Sequence, residues 1–396
     1  MIEKIIIRVS KTLLFTLILM VMLLGKDTGN VKIHLPQSTR NLESQAGISV
    51  KKNDQNSALQ PFVLRLKEDL IIGREDDKRF VFYKVKDVKA DAAGNIYILD
   101  SGNQRVQVFD RFGSFLRTIG RQGQGPGEFQ VPTKIEIDTK TGCVFVKDVP
   151  NRIIVFKTDG TPKVNIFLAG LDDFVPLEND TLIAVAKNMN ESDLSTHQFL
   201  CRINSNGAII DKYIEVIQNI FMQNKPTGIL VVKTGFEVGL QLARFDEKTY
   251  VYGYSQKYEL MFCDNKGQIL RKFSMNGPLP SFTKEEKKSF KDMPVPAQKP
   301  YYFSIQADPS GRIYVQRNKS IEIVRGRGPI DVRPKEVDVF SKEGDFLFKT
   351  TIPPNTCAIG EGVLYLYSLN EETGEEFVKR MRITNWSDMP VRIGYK

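Results

Sequence analysis

Gly113, Gly160 and Gly207 stand 47 residues apart, and each closes the same short phrase. The copies read Phe109-DRF-Gly113, Phe156-KTD-Gly160 and Ile203-NSN-Gly207, and an apolar-rich, strand-like run follows each. A fixed period of roughly 40–50 residues marks a unit that cannot bury its own hydrophobic face and stacks on copies of itself. The unit here consists of strands and turns only, so the array closes as a β-propeller.

The phrase returns as Cys263-DNK-Gly267 and Phe340-SKE-Gly344, at longer intervals that place insertions inside an otherwise regular register. A degenerate copy, Ile383-TNW-Ser387, ends the series. Six phrases predict six blades. Each phrase reads as a hairpin, two apolar runs joined by a polar turn whose glycine supplies a positive φ at little cost. Upstream of the phrases lie polar turns that lead into further strands, as in Asp91-AAGN-IYIL, Asp138-TKTG-CVFV, Asp308-PSGR-IYV and Gly360-EGV-LYLY. The expected fold is therefore all-β: a six-bladed β-propeller of four-stranded antiparallel blades, preceded by an N-terminal signal or anchor segment. Length alone, 396 residues, suggests two or three domains. The repeat overrides that prior and makes residues 62–396 one ring.

Ring closure is written in a second repeat. Ile72-Gly73-Arg74 recurs as Ile119-Gly120-Arg121, where it ends the outer strand of a blade. Residues 62–72 then form an outer strand with no blade of their own upstream. They are expected to complete the last blade and remove its free edge.

The N-terminus is a separate object. Lys4, Arg8 and Lys11 precede the apolar run Leu13–Leu24, the arrangement of a secretory signal. Residues 1–25 are either a cleaved signal or a retained anchor, with residues 5–24 held in the inner membrane. The basic flank stays inside and the rest crosses. Residues 26–61 read as a polar linker. Export permits disulfides, but Cys143, Cys201, Cys263 and Cys357 fall in different blades, so buried free thiols are expected.

Asp100-SGNQ-Arg105-VQVF, Asp148-VPN-Arg152-IIVF and the connector Gly120-RQGQGPGE-Phe129 resemble the NHL-repeat family, in particular its bacterial exported six-bladed propellers. The likeness is good over residues 62–167. It is loose beyond them, where Asn188-MNESDLSTHQ and Tyr254-SQKYEL replace the family phrase. It implies the fold strongly and chemistry hardly at all, since NHL propellers serve as protein-binding, RNA-binding, sensory and enzymatic domains.

The glycine-rich connector is not a phosphate loop, because strands flank it where such a loop requires a helix N-terminus. Asp100 with Arg105, and Asp148 with Arg152, recur in successive blades and are expected as structural pairs that tie a turn to its strand. Two histidines, His34 and His197, cannot build a multi-histidine zinc site, and they leave little for nucleophilic catalysis. Calcium in the central channel needs convergent oxygen ligands, for which Asp87, Glu136 and Asp172 are candidates. Between Gly267 and Gly344 lie two insertions. Residues 278–300 carry a capped helix signal at Thr283 and Glu286, with Phe282, Phe290 and Met293 on one side. The second insertion holds Arg325, Arg327, Arg333 and Lys335, a candidate partner-binding cluster.

The net charge of +9 permits acidic partners without demanding nucleic acid. The resulting expectation is a monomeric, non-catalytic binding propeller at the cell envelope, in the periplasm or on the cell surface. It meets the membrane only through its N-terminal segment, needs no cofactor and recognises a protein or an anionic glycan. The alternatives are a metal-dependent lyase or hydrolase in the central channel and an extracytoplasmic sensor domain.

The targeting reading has a direct test. Residues 1–60 fused to a reporter active only outside the cytoplasm should give activity. Leu17→Arg with Leu19→Arg should abolish it, because a charge at the centre of an apolar span costs about 2.5–3.5 kcal/mol. An inactive wild-type fusion would refute export.

Overall fold

The computed structural model describes residues 48, 50–54, 61–73, 80–138, 140–189, 196–218, 221–225, 228–232, 236–284, 287, 298–318, 321–324, 328–331 and 333–390. The expected signal or anchor segment, residues 1–25, lies outside them. Six four-stranded antiparallel sheets are arranged around a ring. Their first strands are Val85–Ala90, Pro132–Ile137, Leu171–Pro176, Leu240–Arg244, Ser304–Ala307 and Thr356–Gly360. Each of these lies beside the first strand of the next blade, and the last returns to the first, so together they wall a central channel.

The buried residues fall into six clusters, one at each junction between neighbouring blades. The period-2 geometry of a strand makes this possible. Ile96 and Ile98 face the junction with blade six, whereas Tyr97 and Leu99 face the junction with blade two. Leu182, Ala184 and Ala186 likewise point one way, and Ile183 and Val185 the other. The central strands are apolar on both faces because both faces are interior.

The repeated phrase has a local cause. The Asp110 carboxylate accepts hydrogen bonds from the backbone N–H groups of Phe112 and Ser114, both at 2.8 Å, and Gly113 takes φ +87°. Asn204 and Asp264 repeat this turn in blades three and four. The glycine also seats the turn on the preceding blade. A Cβ added at Gly113 would lie 2.8 Å from Leu70, and one at Gly207 would lie 2.1 Å from the Phe167 carbonyl oxygen.

The sixth phrase behaves differently. Ile383-TNW-Ser387 does not turn into a following strand, because the outer strand of blade six is Leu66–Ile72, from the other end of the domain. It pairs antiparallel with Glu376–Ile383, from Leu66 opposite Ile383 to Ile72 opposite Val378. Asp69 binds Arg380 and Arg382, each at 2.9 Å, across this seam. The Asn385 amide clamps the incoming chain, accepting from Arg65 N–H at 2.9 Å and donating to the Val63 carbonyl at 3.0 Å. Residues 62–65 are not part of the strand. Phe62 instead reaches blade five, where its ring stacks against Phe348 at 5.2 Å and its N–H meets the Lys349 carbonyl.

One expectation needs correction. Residues 26–61 do not form a linker throughout, because Val50–Asp54 adds a fifth, parallel strand to the outer edge of blade four. Polar composition hid it: of its five side chains only Asn53 is buried. That side chain is the reason the strand holds. Its amide donates to the carbonyls of Gly344 (2.9 Å) and Ser274 (3.3 Å) and accepts from Phe346 N–H (3.0 Å), joining blades four and five.

Removal of residues 1–47 should leave the melting temperature unchanged. Removal through residue 58 should lower it, and removal through residue 73 should abolish cooperative folding. Asn53→Ala in the full chain should cost about 1–3 kcal/mol, since it strands buried backbone groups. An unaltered denaturation midpoint in the 1–73 deletion would refute closure by the N-terminal strand.

Candidate functional site

Strand direction divides the ring into two unlike faces. First strands start, second strands end and outer strands end on one face, so every connector between blades lies there. That face carries the hairpin Phe221–Lys225/Gly228–Val232, the insertion at residues 277–303 and the hairpin Ile321–Val324/Gly328–Asp331. Among the described residues, the opposite face holds tight turns, such as 110–114, 157–161 and 204–208, and at blade six the segments 61–65 and 384–390. The sequence spacing revealed that insertions exist; only the topology assigns all of them to one side.

The two aspartate–arginine pairs support this elaborated face. Asp100 is fully buried at the end of a second strand and accepts Arg105 Nε at 2.8 Å, Asn103 Nδ2 at 2.9 Å and Tyr83 N–H at 2.8 Å. Asp148 is its counterpart in blade two, with Arg152 Nη2 at 2.5 Å and the N–H groups of Gln130 and Val131 at 3.0 and 2.6 Å. Each carboxylate therefore pins the connector that arrives over its blade. Arg152 extends the grip to the carbonyls of Glu128 (2.9 Å) and Gln124 (3.2 Å). In the connector itself, Glu128 binds Arg121 and the Gly125 N–H, each at 2.9 Å.

The channel wall carries a second network that spans blades one to three. Lys89 meets Glu136 at 3.3 Å, Glu136 meets Lys134 at 3.1 Å, and Lys134 meets Asp173 at 2.6 Å. Nearer the elaborated face, Asp172 binds Lys187 at 2.5 Å and Gln198 at 3.0 Å, and its carbonyl accepts from Lys147. Four lysines thus oppose four carboxylates. Of the three calcium candidates, Asp87 and Glu136 share one end of this network and Asp172 belongs to the other. Among the described residues no group of three or more histidine, cysteine or acidic side chains is arranged to hold a metal ion. The sequence reading found the acids and missed Lys89, Lys134, Lys147 and Lys187. The alternation of Lys134 and Glu136 along one strand was the available signal.

Asp87 is the odd member. Burial, aided by repulsion from Glu136, pushes its carboxyl up to about 6 against the pull of Lys89 and Lys134. Burial also opposes the charge of Glu136, but Lys89 and Lys134 outweigh it and hold that carboxyl below its usual range. Burial lifts the Cys357 thiol to about 11, which keeps it protonated and unreactive. Cys143, Cys201 and Cys263 are free and buried.

The candidate basic cluster is described only in part. Arg325 and Arg327 lie outside the described residues. Arg333 is exposed, whereas Lys335 donates to the Thr356 carbonyl at 3.0 Å and so ties blade five to blade six. In the other insertion, Lys287 N–H meets the Thr283 carbonyl at 3.0 Å, a first helical bond, and Phe282 packs against Phe236 at 5.3 Å. Glu286, Phe290 and Met293 lie outside the described residues. So does His34; His197 Nδ1 is 2.7 Å from Glu215. Among the described residues, no helix is long and apolar enough to cross a membrane.

The raised Asp87 carboxyl fixes the sign of a pH effect. Its protonated form stabilises the fold below the unfolded value near 4, and that contribution is lost as pH rises through 6. Relative to the wild type, Asp87→Asn should therefore gain stability between pH 4 and pH 7, by up to about 3 kcal/mol. Denaturant unfolding at both pH values measures the difference, and a gain that does not grow with pH would contradict the assignment.

A family model described as a domain of unknown function, DUF4934, matches residues 88–306. No curated protein matches the chain. A solved structure of a candidate exported protein from Bacteroides fragilis NCTC 9343 is similar, with a TM-score of 0.52 at 13% identity, covering 85% of this chain and 100% of that one. A member of the DUF4221 family from Bacteroides vulgatus has a TM-score of 0.51 at 11% identity, covering 81% of this chain and 98% of that one. Likeness at such identity concerns the fold alone. The family model, by contrast, spans more than half of the sequence, from the first strand of blade one into blade five, and the chain belongs to the DUF4934 family.

Proposed function

We propose that this NHL-like propeller is exported and acts at the cell envelope as a non-catalytic binding module, which recognises a protein or an anionic glycan through its elaborated face. One observation carries the reading: among the described residues, all three insertions and every connector between blades are gathered on that face, while the other joins strands by tight turns and carries the closing segments of blade six. Loops displayed on a rigid scaffold are where recognition concentrates. The apolar run near the N-terminus supports export.

The channel chemistry favours binding over turnover. Glu136, Asp172 and Asp173 already have lysine partners at 2.5–3.3 Å, so a cation entering there would compete with ammonium groups held in place. The enzymatic alternative draws on one feature, the Asp87 carboxyl near pH 6, a value suited to a general acid or base.

Arg325→Ala with Arg327→Ala and Arg333→Ala should elute from a dextran-sulfate column at lower salt than the wild type, with no change in melting temperature. The difference should shrink as ionic strength rises. Lys335 is left intact because it holds two blades together. Equal elution at low salt would remove the hairpin from the binding face. Turnover of a lactone or uronate that EDTA abolishes would replace the binding reading with the enzymatic one.

A further inference from the structure

We propose that the sector of the elaborated face carried by blades one and two is a preformed docking site for an acidic, aliphatic-bearing peptide segment of a partner protein. The proposal rests on the binding reading above and narrows its partner to one class.

The sector exposes apolar side chains on an immobilised backbone. Val81, Tyr83, Val131 and Val149 keep 47%, 45%, 52% and 36% of their surface in solvent. They come from two connectors and a turn that hydrogen bonds join into one surface. Arg105 and Asn103 donate to the Val81 carbonyl at 2.9 and 3.1 Å, and Gly102 N–H meets the Tyr83 carbonyl at 2.7 Å. Gln104 Nε2 crosses to the Gln130 carbonyl at 2.7 Å, and Val149 N–H reaches the Val131 carbonyl at 3.1 Å. Single exposed apolar residues need no explanation, but four on one braced surface mark an interaction site. Holding them in place beforehand removes part of the ordering cost of binding.

Backbone strain is stored at the same spot. Lys84 and Gln104 take φ values of +55° and +51°, a left-handed conformation that costs a side-chain-bearing residue about 1–2 kcal/mol. Neither is the glycine or asparagine that would relieve it. Such strain persists only where the surroundings enforce it, and it gathers at ligand clamps. The Lys84 ammonium lies 4.9 Å from the centroid of the Tyr83 ring.

The chemistry selects among occupants. Sugars stack on an open aromatic face, and at Tyr83 Lys84 takes one face of the ring. The edge of the ring rests on Gly102, where an added Cβ would lie 2.2 Å from it. What remains is an aliphatic floor of valines, suited to leucine, isoleucine or valine side chains. Lys84 and Lys86 form no ion pair with a described residue, and the described acids of these loops, Asp100, Glu128 and Asp148, are each paired with an arginine, Arg105, Arg121 and Arg152. A carboxylate beside an aliphatic side chain satisfies both features.

Random dodecapeptides displayed on phage should be selected on the full chain, in parallel with the Tyr83→Ala/Val131→Asp and Lys84→Glu/Lys86→Glu variants. The wild type should enrich peptides that pair Asp or Glu with aliphatic residues, and each double variant should bind them at least tenfold more weakly with an unchanged melting temperature. Equal binding by the variants, enrichment of basic peptides or no enrichment overturns the proposal. So does a panel of uronate oligosaccharides whose binding depends on Tyr83. Peptides that bind the variants normally but are lost on Arg325→Ala/Arg327→Ala/Arg333→Ala would end this proposal while leaving the wider binding reading intact. Absence of any ligand, together with EDTA-sensitive turnover, would end both.

Discussion

Every blade of this protein is apolar on both faces, and a sheet of that kind is stable only between two others. The six junction cores are therefore mutually dependent: each blade supplies half of two of them. An open row would leave two such faces in water, at about 25 cal/mol for each Å² exposed. Closure removes both. The strand Leu66–Ile72 performs it, with Leu66 entering one core and Leu70 and Ile72 the next. Because this strand and its partner lie at opposite ends of the domain, loss of either opens the whole ring.

The connectors share in the packing, since Phe82 and Phe129 enter two junction cores from them. Elsewhere the cores are buried between blades, and the loops of one face can grow or carry unusual conformations without disturbing them. The buried pairs Asp100–Arg105 and Asp148–Arg152 then act locally, fixing connectors over blades one and two through backbone N–H groups. Rigidity at this face comes from charge-assisted hydrogen bonds together with the burial of Phe82 and Phe129, and Val81, Tyr83, Val131 and Val149 remain outward. Blade four is braced differently: the borrowed strand Val50–Asp54 ties it to blade five through the Asn53 amide.

The channel follows a third logic. Six first strands converge there and bring their polar side chains close together. Like charges at that spacing would be costly, and lysine–carboxylate alternation across blades resolves the conflict. Asp87, the acid with the weakest compensation, absorbs the remainder as a raised carboxyl.

The phrase ending at Gly113, Gly160, Gly207, Gly267 and Gly344, with its degenerate copy at Ile383–Ser387, by itself determined the blade count and the position of five turns, because a turn that needs a positive φ and a close approach to the neighbouring blade tolerates little but glycine. The repeated Ile72-Gly73-Arg74 likewise marked an outer strand before the first blade. Local backbone chemistry of this kind is legible because its cause lies within a few residues. The strand Val50–Asp54 was not legible, since its single buried side chain finds its partners more than 200 residues away. The lysines of the channel and the surface around Tyr83 were hidden for the same reason. Lys134 and Asp173 are ordinary residues in separate repeats, and only the packing of neighbouring blades brings them together. The sequence decided how each blade folds; the tertiary structure decided which side chains of different blades meet, because that depends on the rotation from one blade to the next and not on any local pattern.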